Sequence, residues 1–229
     1  DLVAMVAART GTRLDIDIPI FGFARRMTAY KRPDLLFNDI ERLRAVHERR
    51  PFQIVLAGKA HPHDDAGKDL IHRLHELIRD LAPRIEIVFL ANYDLDIART
   101  LVAGSDVWLN TPAPPLEASG TSGMKAAVNG VLNLSSLDGW WVEACIEGVT
   151  GWAIEDHGTH AAACALYDKM EHTVLPLYHD DRARWIWMMK QAVGKIASYF
   201  NSHRMMRRYA AEAYILRRSA VRVPINGSR

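Results

Sequence analysis

Apolar and polar residues follow two patterns along the chain: short apolar runs and longer helical periodicities. Short continuous runs predict strands that are buried on both faces, and apolar residues three and four apart predict amphipathic helices. Predicted strands lie at 16–23, 52–57, 85–90, 106–109, 131–134 and 151–154, and predicted helices lie at 2–8, 34–47, 66–81, 92–102, 124–128 and from 159 onward.

This alternation of strands and helices is typical of one fold class. Strands that alternate with helices form a parallel sheet with helices on both faces. We therefore predict an α/β fold with a doubly wound, Rossmann-like parallel sheet. The turn after the first strand, Gly22-Phe-Ala24, lacks the full glycine fingerprint of a dinucleotide site, which disfavours an NAD enzyme.

From residue 159 onward the pattern is helical. The segment 182–200 is rich in tryptophan and methionine, which is more typical of a core or an interface than of a cofactor site. We expect its apolar side to be partly uncovered and to pair with another chain, giving a homo-oligomer. The residues concerned are Trp185, Trp187, Met188 and Met189.

Composition and charge narrow the possible functions. The 229 residues, 49% of them apolar, suffice for one large domain with a good core. Lysine and arginine exceed aspartate and glutamate by 29 − 27 = 2, which favours neither nucleic acid nor a membrane as partner. Cys145 and Cys164 form no CxxC pair, and no signal peptide or long apolar run is present, so we predict a soluble cytoplasmic protein. Because the chain begins at Asp1, we interpret it as a piece of a longer polypeptide.

Four cations lie between the first predicted strand and the next helix, which Pro33 is expected to open. In an open α/β sheet such a loop lies at the carboxyl edge, where ligands bind. The alternative is a basic loop that contacts only solvent. The four residues are Arg25, Arg26, Lys31 and Arg32.

Two histidines and two aspartates follow the second predicted strand, in the stretch His61-Pro-His-Asp-Asp65. These side chains suggest a metal site. No further ligand group lies at a familiar spacing, so we predict no metal.

The stretch Glu117-Ala-Ser-Gly-Thr-Ser-Gly-Met-Lys125 carries the richest chemistry in the chain. Its order predicts a loop, an N-cap and the first turn of a helix. A helix start with glycines and hydroxyls attracts phosphate groups. A lysine in the first turn opposes the helix dipole, so Lys125 needs another role, such as neutralising a phosphate or condensing with a carbonyl. The alternative is a Ser/Thr-capped helix with one solvated lysine.

Five blocks, in order and within about residues 2–200, resemble the glycogen and α-glucan phosphorylases. Segment 25–32 is similar to their KRxxxYKR, 58–60 to GGKA, 89–93 to FLENY, 117–125 with Asn129-Gly130 to EASGTGNMK…NG, and 137–139 with Glu143 to LDGANVE. Departures at Arg25, Thr28, Ser122-Gly123 and Trp140-Trp141 are similar to the shorter bacterial and archaeal members.

The resemblance implies the C-terminal lobe of a two-lobe, GT-B type glycosyltransferase. Such an enzyme releases glucose 1-phosphate from an α-1,4-glucan and inorganic phosphate, and the 5′-phosphate of its pyridoxal 5′-phosphate passes a proton to the inorganic phosphate. The resemblance also implies an α/β core at 1–181, helices at 182–216 that pack on the missing N-terminal lobe, and a loose tail at 217–229. The isolated chain would then be inactive.

The resemblance also assigns roles to individual residues. Lys125 would carry the cofactor as a Schiff base, and Tyr93 would line its pocket. Cations and hydroxyls would hold the cofactor phosphate and the substrate phosphate, with Arg26 and Lys31 taking part in catalysis. The phosphate ligands are Arg25, Arg26, Lys31, Thr121 and Ser122, and the glucosyl contacts are Glu117, Ala118, Ser119 and Gly120.

Two alternatives remain. A sugar-nucleotide glycosyltransferase of the same two-lobe architecture would lack a cofactor lysine in a Ser-Gly-Thr context, so Lys125 argues against it. The second alternative is a non-catalytic lobe that binds the cofactor or a partner without turnover. An assay for phosphate-dependent formation of glucose 1-phosphate separates these possibilities.

Overall fold

A six-stranded, all-parallel sheet forms the centre of the computed structural model, which describes residues 1–82 and 84–215. Its strands are β1 (Ile20–Arg26), β2 (Gln53–Lys59), β3 (Ile87–Leu90), β4 (Val107–Asn110), β5 (Leu132–Ser136) and β6 (Gly151–Ile154). Their order across the sheet is β3-β2-β1-β4-β5-β6, so the direction of winding reverses between β1 and β4. The predicted α/β fold with a doubly wound parallel sheet is confirmed.

Helices cover both faces of this sheet. Several begin at an aspartate whose side chain accepts a backbone N–H three residues further on, as at Asp39, Asp64 and Asp94. The helices are α1 (Leu2–Thr10), α2 (Ile40–Arg49), α3 (Asp65–Leu81), α4 (Leu95–Gly104), α5 (Thr121–Val128), α6 (Trp141–Ala144), α7 (Thr159–Lys169), α8 (Leu175–Asp180), α9 (Arg182–Tyr199) and α10 (Ser202–Arg208). Short 3-10 turns occupy Ala29–Lys31 and Leu35–Phe37, and π-helical turns occupy Met170–Val174 and Tyr209–Ile215.

The core has a layer on each side of the sheet. Along β2, Ile54 and Leu56 belong to the layer that packs against α2, α3 and α7, whereas Val55 and Ala57 belong to the layer under α1 and α4. Each apolar side chain that is fully buried in this way contributes roughly 1.5–3 kcal/mol. Burial on both faces explains why the strands read as continuous apolar runs.

Two predicted boundaries are wrong. Pro33 does not open a helix, because the backbone around it forms 3-10 turns and α2 begins only at Ile40, after the capping side chain of Asp39. The first strand begins at Ile20 rather than at residue 16, because the segment before it is held by the side chain of Gln53, which donates to the carbonyls of residues 15 and 18.

The expectation of an uncovered Trp/Met face on α9 is wrong for its two innermost residues. Trp185 and Met188 are each 1% exposed, and Trp185 packs against Trp152 with ring centroids 5.8 Å apart. Met189 packs partly buried against the same layer, while Trp187 is 37% exposed beneath the guanidinium of Arg184. Other exposed apolar side chains of α9 are Ile186 and Val193, and more follow the helix at Met205, Met206, Tyr209, Tyr214 and Ile215. The homo-oligomer stays a prediction, and the tail at 217–229 lies outside the described residues.

Two findings bear on the surroundings of the protein. Among the helices that the structure describes, none is both long and apolar enough to cross a bilayer. Cys145 and Cys164 are free thiols, and burial raises the pKa of Cys145 to about 12, which disfavours its thiolate at neutral pH. The cytoplasmic location stays a prediction.

Candidate active site

The candidate site lies at the carboxyl edge of the sheet, where β1 and β4 meet. The winding direction reverses between these strands, and loops that leave them in opposite directions open a crevice in which α/β proteins bind ligands. An open cleft of about 1080 Å³ occupies this position. It is lined by Ala24, Arg25, Arg26, Thr28, Tyr30, Lys31, Tyr93, Leu116, Glu117, Ala118, Ser119, Gly120, Thr121 and Ser122.

The cleft brings together the site residues that the sequence assigned, with one exception. Arg25 and Arg26 come from the end of β1, Tyr93 from the loop after β3, and residues 117–122 from the loop after β4 and the start of α5. Lys125 is absent from the lining, although it lies on the helix that starts there. Segments far apart in sequence therefore converge on one crevice.

One carboxylate joins two of the cations. Oε2 of Glu117 accepts from Nη1 of Arg25 at 2.8 Å and also from Nζ of Lys31. The three side chains are buried, with exposed fractions of 9%, 5% and 12% respectively. Nη2 of Arg25 also approaches Oγ of Ser122 at 3.5 Å. Two cations beside one carboxylate leave a net positive charge, so the cluster can accept an anion such as phosphate.

Burial and charge shift the pKa of three groups in the cluster. Burial raises the pKa of Glu117, but the hydrogen bond from Lys31 and the charge of Arg25 outweigh it and hold the pKa below its usual range. Burial lowers the pKa of the Arg25 guanidinium and Glu117 offsets part of this, yet an arginine stays protonated near neutral pH. Burial raises the pKa of the Tyr93 phenol, with Arg25 opposing, so the hydroxyl remains a hydrogen-bond donor.

The low pKa of Glu117 predicts a pH-dependent stability. Its contribution is complete above the unfolded-state pKa of a glutamate, about 4.3, and is lost as pH falls through the lower folded-state pKa. The free energy of unfolding should therefore fall more steeply below that pH in the natural chain than in Glu117→Gln. Denaturant unfolding from pH 7 to pH 3 measures this, and parallel curves for the two proteins would contradict it.

The N-cap residue of helix α5 is Gly120, not a serine or threonine. Gly120 has φ 94°, in the left-handed region that favours glycine, and no side chain caps the helix. The predicted Ser/Thr cap is therefore wrong, and so is the placement of Lys125 in the first turn: it is the fifth helical residue and is exposed. Residues three and four apart share a helix face, so Lys125 lies on the same face as Ser122 and Thr121.

A second loop supports the one that carries Glu117. Oδ2 of Asp138 accepts the backbone N–H of Glu117 at 2.8 Å, and the N–H of Trp140 donates to the carbonyl of Ser119 at 2.8 Å. The indole of Trp140, 4% exposed, lies so close to Gly120 that a Cβ there would be 3.0 Å from Cδ1. The role of Asp138 was missed in the sequence, because no local signal shows that it holds the backbone of Glu117.

Arg32 differs from the other three cations at 25–32. Arg25, Arg26 and Lys31 line the cleft, whereas Arg32 is 8% exposed and donates to the carbonyls of Thr111 and Pro112. The prediction that all four cations lie in one loop is wrong for Arg25 and Arg26, which end β1, and Arg32 does not line the cleft. The fourth guanidinium stabilises the walls of the cleft.

The histidine segment after β2 lines a neighbouring cleft. This cleft, of about 910 Å³, shares Arg25, Arg26, Thr28 and Tyr93 with the first and adds Lys59, Ala60, His61, Pro62 and Asp64. The Asp64 side chain accepts the N–H of Gly67 and caps α3. Within residues 1–82 and 84–215, no three His, Cys, Asp or Glu side chains lie together as metal ligands.

Comparisons with known proteins agree with this arrangement. The model of the carbohydrate phosphorylase family matches residues 1–151. Maltodextrin phosphorylase of Thermococcus litoralis is 46% identical over 211 residues, which cover 88% of this chain and 25% of the relative. Glycogen phosphorylase of Aquifex aeolicus is 48% identical over 216 residues, 89% of this chain and 31% of the relative. Glycogen phosphorylase of Mycobacterium tuberculosis is 41% identical over 218 residues, which cover 89% of this chain and 25% of the relative.

The chain therefore spans between a quarter and a third of the length of these relatives. The family match covers the β1 and β4 loops and the start of α5, which are the segments that build the cleft. The resemblance of the five sequence blocks is confirmed. By this match over more than half of its length, the chain belongs to the carbohydrate phosphorylase family.

Proposed function

We propose that the chain is the cofactor-binding lobe of an α-glucan phosphorylase, which uses pyridoxal 5′-phosphate to form glucose 1-phosphate from an α-1,4-glucan and inorganic phosphate. The observation that carries the proposal is the convergence of Arg25, Arg26 and Lys31 with residues 117–122 in one cleft at the β1–β4 switch point. Relatives named glycogen and maltodextrin phosphorylase support it. The rival sugar-nucleotide glycosyltransferase has no support from the family match.

The residues present fit pyridoxal 5′-phosphate. A phosphate needs cations and backbone N–H donors, which Arg25 and the uncapped start of α5 supply. An aldehyde needs a primary amine, and Lys125 is exposed on the α5 face that also carries Thr121 and Ser122. Among the described residues no carboxylate pairs with Lys125, so its amine is available.

Each side chain then has a defined task. Lys125 would hold the cofactor covalently, Tyr93 would line its pocket, and Arg25, Thr121 and Ser122 would bind its phosphate. Arg26 and Lys31 would bind inorganic phosphate. When bound, the cofactor would supply a phosphate group that exchanges a proton with inorganic phosphate.

The glucosyl contacts would come from the loop after β4. Glu117 can accept hydroxyl hydrogen bonds, and Ala118, Ser119 and Gly120 line the same wall. Inorganic phosphate would give a proton to the glycosidic oxygen, whose bond to the anomeric carbon would break, so that the shortened glucan leaves with a free hydroxyl. A phosphate oxygen would then form a bond to the anomeric carbon with retention. Phosphate would stabilise the cation-like transition state, so no pair of catalytic carboxylates is needed.

Catalysis is proposed to require the rest of the polypeptide. The chain covers 31% or less of the length of these relatives, and the cleft is open to solvent on one side. Transition-state stabilisation needs glucan and both phosphates held together in a site that excludes water. We therefore expect the 229-residue chain alone to produce no glucose 1-phosphate from glycogen.

A chimaera tests the proposal. This chain would replace the matching 216-residue segment of the Aquifex aeolicus glycogen phosphorylase. We expect the chimaera to phosphorolyse glycogen. We expect Arg26→Ala to reduce kcat/KM for phosphate by about a hundredfold, because an exposed cation that binds a reacting anion acts in the transition state.

The melting temperature of the Arg26→Ala chimaera should change little, because surface substitutions cost within about 0.5 kcal/mol. Arg79→Ala, an exposed arginine of α3, is the matched control and should leave both quantities unchanged. A folded chimaera without phosphorolysis would refute the proposed function. A large melting shift with normal phosphate kinetics would refute the role of Arg26.

A further inference from the structure

Arg32 combines a buried charge with an unusual backbone. It has φ 44° and ψ 56°, in the left-handed region that residues other than glycine seldom adopt. Such a conformation persists only where the surroundings hold it in place, and it often marks a functional segment. The contacts of Arg32 show what holds it.

The guanidinium of Arg32 joins several loops at the carboxyl edge of the sheet. Nε donates to the carbonyl of Thr111 at 2.9 Å, and Nη2 donates to that of Pro112 at 2.8 Å and to Oγ of Ser136 at 3.4 Å. Nη2 also forms an ion pair with Asp156, in the loop after β6. One side chain thus connects the ends of β4, β5 and β6 to the loop after β1.

The backbone around Arg32 is held in the same way. Oγ1 of Thr111 donates to the carbonyls of Lys31 at 3.1 Å and Arg32 at 2.9 Å, and the N–H of Ala113 donates to the carbonyl of Tyr30 at 2.7 Å. The backbone of Lys31 is therefore hydrogen-bonded to the first residues of the loop after β4. Its ammonium then reaches Glu117, further along that loop.

We propose that Arg32 and Asp156 are positioning residues, which fix the distance between Lys31 on one wall of the cleft and Glu117 on the other. Asp156 lies 124 residues from Arg32 and does not line the cleft. Its carboxylate neutralises the buried guanidinium of Arg32. It thereby fixes the two nitrogens that donate to the carbonyls of Thr111 and Pro112. The expected effect of these residues on phosphate binding rests on the proposed function. The coupling between the loop after β1 and the loop after β4 does not rest on it.

Hydrogen–deuterium exchange tests the coupling without any ligand. In Asp156→Ala, peptides from 27–33 and from 111–117 should both exchange faster, whereas peptides from β2 should not change. Asp156→Asn keeps an acceptor for Nη2 and should restore much of the protection. Asp180→Ala, which removes the exposed pair with Arg50 at 2.7 Å, is the matched control and should leave both segments unchanged.

Binding of pyridoxal 5′-phosphate and of inorganic phosphate to the same proteins, measured by calorimetry, gives the second readout. Both affinities should fall about tenfold in Asp156→Ala, since a small displacement of a positioned cation has a large effect. They should recover in Asp156→Asn and stay normal in Asp180→Ala. If the natural chain binds neither probe, the proposed function is refuted. The hydrogen–deuterium exchange result alone would then decide whether Arg32 and Asp156 position the two loops. Faster exchange confined to residues near 156, or normal affinities in a loosened Asp156→Ala, would overturn the inference.

Discussion

Replacing Lys125 with alanine is expected to abolish covalent attachment of pyridoxal 5′-phosphate to the chain. Lys125 is an exposed lysine on the α5 face that carries Thr121 and Ser122, both of which line the cleft. Its removal leaves the anion-binding walls intact but takes away the amine that would condense with the aldehyde. The visible absorbance of protein-bound cofactor, recorded after gel filtration, should fall to background.

A matched variant keeps this experiment specific. Lys190→Ala removes an exposed lysine from α9, outside the cleft, and should retain the absorbance of the natural chain. Both variants should melt like the natural chain, because surface substitutions in helices change stability little. Retention of full cofactor absorbance by Lys125→Ala would contradict the assignment.

Replacing Arg25 with alanine is expected to destabilise the fold by about 3 kcal/mol, because it removes one partner of a buried ion pair. The Arg25 side chain is 5% exposed, and its partner Glu117 would keep only Lys31. Arg50→Ala removes an exposed pair with Asp180 and should cost no more than about 1 kcal/mol. Urea unfolding at pH 7 measures both free energies.

A double variant separates the ion pair from simple loss of packing. Arg25→Met combined with Glu117→Gln should cost less stability than the sum of the two single changes, because the interaction between the two side chains is then lost only once. Equal destabilisation by Arg25→Ala and Arg50→Ala would contradict the structural role of the buried pair. A double variant less stable than the sum of its single changes would also contradict it.

The sheet was predictable because its evidence is local. Strands buried on both faces read as apolar runs, so β2 and β6 were found within a few residues of their true bounds. The order of strands across the sheet depends on packing between distant segments, and no local pattern contains it. The switch point could therefore be expected as a class of site, but its position between β1 and β4 came only from the structure.

The four cations at 25–32 show which features of the site the sequence could not predict. Nothing near Arg32 distinguishes it from Arg26, yet one is buried against carbonyls of the β4 loop and Asp156, and the other is exposed in the cleft. Charge in a loop predicts proximity to a ligand only on average. The partners of a buried cation lie roughly a hundred residues away, and only the fold brings them together.

Helix α9 gives a second instance. Its tryptophans and methionines were expected to form an uncovered face, because residue type alone cannot tell whether an apolar stripe packs on its own sheet or on another chain. Trp185 contacts Trp152 of β6 and lies in the core of this chain. The start of α5 was missed for a similar reason, since Ser119 and Thr121 both suit a cap, but the left-handed backbone of Gly120 provides the turn.

The identity of the modified lysine tests the central claim most directly. The purified natural chain would be incubated with pyridoxal 5′-phosphate, reduced with borohydride, digested and mapped by mass spectrometry. The proposed function predicts a pyridoxyl group on the peptide that contains Lys125, at near-stoichiometric yield. Modification concentrated on Lys59 of the neighbouring cleft or on Lys31, with Lys125 unmodified, would contradict it.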